Sequence, residues 1–304
     1  RKLGTTSLWV LYAALVFSCA FLPSLLIKKL RVKWTLVVSM FAYSAYMAAQ
    51  FYPTYYTMIP TAIILGLGAA PMWSAKCTYL TLVGEQYADL VGENSEVIIT
   101  RFFGIFFLFF QSSQVIGNFI SSSVLSAGVE NLNRSEAFLD KCGANYCPDF
   151  AHNLTAVEGV AANATQTAED KYKITIMSAI YLGCSLVSAL IIAVFVDSLA
   201  KYGEAERTKK QGEKSGMELL MATFKHLKNP YQILIIPLTV WSGVEQAFIG
   251  ADFHCGIRLL QYMVIMICYA ICDALCSFGF SPLVKLIGRV PIFIFWGSCQ
   301  RWCH

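Results

Sequence analysis

Long apolar runs alternate along the chain with short polar or charged breaks. A helix needs about 20 predominantly apolar residues to cross some 30 Å of hydrocarbon. Residues 8–27, 34–52, 57–75, 102–127, 174–196, 231–251 and 257–280 meet that length, which predicts about seven complete transmembrane helices. A further run, 291–299, is about ten residues long and too short to cross, so it reads as a C-terminal stub. The expected class is an all-α, polytopic membrane bundle.

The breaks carry the orientation. Lys28-Lys29-Leu30-Arg31-Val32-Lys33 places four basic residues in six after the first run, a cytoplasmic marker. Tyr52-Pro53-Thr54-Tyr55-Tyr56 reads as a short outer turn with an aromatic belt. The mixed-charge stretch 85–101 is expected to be a cytoplasmic loop. The stretch 197–230, with Lys201, Arg207, Lys209, Lys210, Lys214, Lys225 and Lys228, is expected to be a cytoplasmic linker. The polar insert 128–173 is expected outside. It holds three Asn-x-Ser/Thr triplets, at Asn133, Asn153 and Asn163, which are glycosylated only if the segment enters the secretory lumen. Cys142 and Cys147 in the same insert suit a small local disulfide in an oxidising compartment. By alternation, every basic cluster falls on one side and every triplet on the other.

Composition agrees with a membrane protein. Of 304 residues, 57% are apolar and only 14% charged, where soluble domains carry about 25% charged residues. Mean hydropathy is +0.56. The net charge of +4 is spread between apolar runs, not gathered in a patch, and gives no sign of a nucleic-acid partner. The eleven Cys lie mostly inside apolar runs and read as small packing residues. Among them, Cys268, Cys272 and Cys276 recur on one helical face and read as buried packing.

Polar groups inside the apolar runs are the candidate chemistry, because each one left unpaired in lipid costs several kcal/mol. Glu245, beside Gln246, reads either as a proton- or cation-coupling acid or as a hydrogen-bonded tie between helices. Asp273 reads as an ion-pair partner of Arg101 or Lys76, or as an ion site. Gln111, Ser112, Ser113 and Gln114 either line a cavity or hold helices together. The small-residue stretch Gly66-Leu67-Gly68-Ala69-Ala70-Pro71 reads as a helix-packing surface. No Ser-His-Asp set, phosphate loop or paired catalytic acid is present in the sequence, so no enzyme, metal or cofactor is expected.

Four stretches carry a resemblance. They are Phe21-Leu22-Pro23-Ser24-Leu25-Leu26-Ile27; Leu65-Gly66-Leu67-Gly68-Ala69-Ala70-Pro71-Met72-Trp73-Ser74-Ala75-Lys76-Cys77-Thr78-Tyr79-Leu80-Thr81; Phe103-Gly104-Ile105-Phe106-Phe107-Leu108 with Gln111-Ser112-Ser113; and Asp273-Ala274-Leu275-Cys276-Ser277. Together they resemble the uncoordinated-93 family, in particular its vertebrate homolog A branch. The resemblance implies a major-facilitator-like fold. Residues 1–196 would be helices two to six of the N-terminal half-bundle, 197–230 the linker, and 231–304 the truncated start of the C-terminal half. The likeness breaks at 297–304, and the family's first helix is absent, so the chain is expected to be a fragment, a truncated isoform or an incomplete gene model. The resemblance further implies a non-enzymatic partner protein of the plasma membrane. One relative regulates a two-pore potassium channel, and a more distant one escorts nucleic-acid-sensing Toll-like receptors. The expected partners are membrane lipid and potassium channel subunits or other membrane proteins. The alternatives are a secondary transporter of an unidentified solute and a trafficking escort for receptors.

Overall fold

In a computed structural model, residues 2–126, 163–199, 221, 225, 228–248, 259–288 and 291 are described. Among the described residues the helices are α1 (Lys2–Ala49), α2 (Tyr55–Val91), α3 (Ser95–Ser126), α4 (Asn163–Phe195), α5 (Pro230–Phe248) and α6 (Leu259–Ile287). Among the described residues, four helical stretches are long and apolar enough to cross a membrane: Leu3–Ala49, Tyr55–Val91, Ser95–Val124 and Lys171–Phe195. The chain is a helical membrane protein. By internal contacts it forms two compact units, Arg1–Tyr79 with Val124–Leu259, and Leu80–Ser123 with Leu260–His304.

The first of the four stretches is a hairpin. Its helical path breaks at Arg31, which sits at φ 63° and ψ 166°. That region is almost exclusive to glycine and costs a side-chain-bearing residue about 1–3 kcal/mol. A straight helix would hold Ser7 and Tyr46 roughly 58 Å apart, yet the Ser7 hydroxyl lies 3.5 Å from the Tyr46 hydroxyl. The chain therefore doubles back at the basic cluster, where the sequence placed the end of the first run. Thr35 donates its hydroxyl to the Arg31 carbonyl oxygen at 2.7 Å, and both Val32 and Thr35 are fully buried. Those contacts hold the break in place.

Small residues let α2 lie between the two arms. A Cβ on Gly66 would collide with the Leu11 carbonyl oxygen and lie 2.7 Å from Ala14 Cβ on the first arm. One on Gly68 would lie 2.7 Å from Ala42 Cβ on the second. Ser18 donates to the Leu67 carbonyl oxygen at 2.8 Å. The glycine stretch is thus a packing surface, as its composition indicates. On the second arm, Ser44 and Ser185 of α4 share a 2.8 Å hydrogen bond. The buried apolar set is dominated by alanine (Ala42, Ala62, Ala69, Ala75, Ala189), while Trp9, Phe17, Phe109, Phe119 and Leu190 stand outward. Small side chains inside and bulky ones outside is the arrangement expected where lipid, not water, surrounds the bundle.

Helix enters both expected loops, 85–101 and 128–173, among the described residues. The stretch 85–101 is a tight turn of Gly92, Glu93 and Asn94 between α2 and α3. Gly92 takes φ +71°, which lets its N–H and that of Glu93 both reach the Ala88 carbonyl oxygen. Asn94 then caps α3, accepting from the Glu96 N–H at 2.9 Å. At the insert, α4 begins at Asn163, within the segment read as loop. Ala, Gln, Glu and Lys dominate 164–173, and neither Gly nor Pro interrupts them, so helix propensity carries the element back beyond the apolar run.

Candidate intramembrane polar site

The second unit brings together two of the polar candidates. Gln111, midway along α3, donates its side-chain N–H to the Asp273 carboxylate of α6. Both side chains are half-buried. On α6 the residues flanking Asp273 on its own face are Ala270 and Ala274, both buried. Their small size allows a neighbouring backbone close enough for a side-chain bond at this depth. A carboxyl group paired with a neutral amide keeps a hydrogen-bond partner whether or not it carries a proton, unlike one held by a fixed cation.

This differs from the expected ion pair. Arg101 instead meets Glu93 at 3.9 Å, with both side chains about half exposed. Lys76 stands over the Trp73 ring, 4.4 Å from its centroid. The α2–α3 turn brings Glu93 back toward Arg101, and that local geometry wins over a long-range partner.

The remaining polar candidates divide. Ser112 donates to the Leu108 carbonyl oxygen at 2.7 Å and Ser113 to that of Phe110 at 2.6 Å, so both hydroxyls are satisfied within α3 itself. Gln114 is exposed, and its carbonyl oxygen accepts from the Asn118 side chain at 2.8 Å. Glu245 is half-buried on α5 and Gln246 exposed beside it; both belong to the first unit. Cys268, Cys272 and Cys276 are exposed free thiols, as are Cys19, Cys77 and Cys184, which corrects the buried-packing reading. On α6 the inward face is taken by the alanines and Asp273, which turns the cysteine face outward. Asn133, Asn153, Cys142 and Cys147 lie outside the described residues, and Asn163 is the first helical residue of α4. The Ser44–Ser185 contact was absent from the sequence-derived candidates. Its only signal was a serine at mid-depth in each of two apolar runs.

The family model described as "Ion channel regulatory protein UNC-93" matches residues 1–284. The chain belongs to the UNC-93 family. It is 40% identical over 302 residues to unc-93 homolog A of Xenopus laevis, covering 96% of this chain and 63% of that relative. A Caenorhabditis elegans relative, named "Putative potassium channel regulatory protein unc-93", is 36% identical over 300 residues, covering 96% of this chain and 41% of its own length. Mouse unc-93 homolog B1 is more distant, 18% identical over 270 residues, with 81% and 43% covered. The chain thus spans less than two thirds of these three relatives.

Proposed function

We propose that this UNC-93 family chain is part of a non-enzymatic, multi-pass membrane protein that regulates a potassium channel or serves as its accessory subunit. The observation that carries the reading is the match of 1–284 to a channel-regulatory family, supported by the potassium-channel name of the nematode relative. We place it in the plasma membrane, with a major-facilitator-like arrangement of about seven spans and a stub. The half-bundles are 1–196 and 231–304, the linker 197–230. The glycosylated insert 128–173 faces outside, and the basic elbow of α1 faces the cytoplasm. Its partners are channel subunits and lipid. Affinity purification from cells co-expressing two-pore potassium channel subunits tests the role, together with voltage clamp of the same cells. A subunit that co-purifies and a current that changes with the chain's expression are expected. Neither effect across a panel of potassium channel subunits contradicts the role.

A second reading, a secondary transporter, is favoured by the Gln111–Asp273 bond, because a carboxyl group at membrane depth is costly and usually functional. Asp273→Asn separates the two. Under channel regulation it leaves co-purification intact, whereas under proton-coupled transport it abolishes uptake driven by a pH gradient.

A further inference from the structure

Pro71 lies inside α2 and is fully buried. Proline has no backbone N–H, so the carbonyl oxygen four residues earlier, that of Leu67, gets no donor from position 71 of its own helix. In hydrocarbon a carbonyl released in this way needs a partner from the protein. Ser18 is that partner. From the first arm of α1 its hydroxyl donates to the Leu67 oxygen at 2.8 Å, and Ser18 has no exposed surface. The bond between the two helices thus stands at the point where Pro71 cuts the α2 ladder.

The residues beside Leu67 explain how Ser18 reaches it. A Cβ on Gly66 would meet backbone atoms of Leu11 and Leu15, so the first arm lies directly against the α2 backbone. A Cβ on Gly68 would lie 3.8 Å from the Ser39 Cα of the second arm. Proline and nearby glycines are also where membrane helices bend. The position matters for a second reason. α2 belongs to the first compact unit up to Tyr79 and to the second from Leu80 onward.

We propose that Pro71 is a hinge in α2 and that the Ser18 hydroxyl is its latch. With the bond made, the released carbonyl is satisfied and α2 keeps one direction through the proline. Ser18 and Pro71 are both buried, so water does not replace the serine while the helices stay packed. Unlatching therefore requires the first arm to draw away from the Gly66–Gly68 surface. Bending of α2 and separation of the two helices are one event, which makes the pair a two-state element. The device is independent of whether the protein regulates a channel or carries a solute.

A two-by-two comparison of the full chain in mild detergent tests the latch. Ser18→Ala should lower the thermal midpoint by about 2–4 °C. Pro71→Ala gives residue 71 an N–H for the Leu67 oxygen, so in that background Ser18→Ala should cost less than half as much. Fluorine NMR of protein labelled with fluorotryptophan tests the hinge. Trp73 reports from just past Pro71, and Trp241 on α5 is the reference. In the wild type Trp73 should give a single resonance. In Ser18→Ala it should split or broaden while Trp241 does not. An equal loss of stability in both backgrounds overturns the latch. An unchanged Trp73 resonance in Ser18→Ala overturns the hinge, and does so even where Pro71→Ala fails to fold.

Discussion

Asp273 illustrates what single residues contribute and how far sequence reasoning reaches them. Its position inside an apolar run announces a need for a partner, and so does that of Gln111. Their pairing, 162 positions apart, depends on helix register that no local pattern encodes. The expected cation partner is replaced by Gln111, while Arg101 meets Glu93 of the adjoining turn. A double-mutant cycle of Gln111→Leu and Asp273→Leu, followed by unfolding in mixed micelles, should give a coupling energy of about 0.6–1.7 kcal/mol, the range for side-chain hydrogen bonds between membrane helices. Strict additivity would remove the bond from the account. The exposed cysteines were misread for a related reason: their spacing shows that they share a face, but not which way that face points.

At the scale of elements, four helical stretches among the described residues are long and apolar enough to cross a membrane, against about seven expected spans, and loop length was a poor guide. The break after residue 27 was legible because four cations end the run, and α1 does reverse at Arg31. In 85–101 and in 163–173 of the insert, charge does not bring irregular backbone. Charged residues are good helix formers, and a helix that leaves the membrane continues through them until a residue such as Gly92 stops it. The small-residue stretch of α2 was legible as a packing surface. Gly66 sits so close to the first arm that Gly66→Ala should lower stability by about 1–3 kcal/mol, since the obstacle is the Leu11 carbonyl oxygen of the backbone. Gly183→Ala, at an open position on α4, is the control and should change stability little. Equal thermal midpoints for the two variants would refute the close approach.

For the whole molecule, family membership rests on a match over 1–284, and the role proposed above extends from it. Beneath that role lies the proposal that the chain threads the bilayer repeatedly, with the insert 128–173 and the α1 elbow on opposite faces. The alternation of apolar runs made the membrane legible from sequence, while the arrangement of helices into units was not, because lipid-facing and partner-facing apolar surfaces look alike in composition. One measurement bears on the threading most directly. In intact cells expressing the chain, Asn133, Asn153 and Asn163 are mapped for glycans, and a cysteine introduced at Lys29 is probed with a membrane-impermeant maleimide. Glycans removable by an amidase, with Lys29→Cys labelled only after permeabilisation, are the predicted result. An unglycosylated insert together with labelling of Lys29→Cys from outside would contradict it.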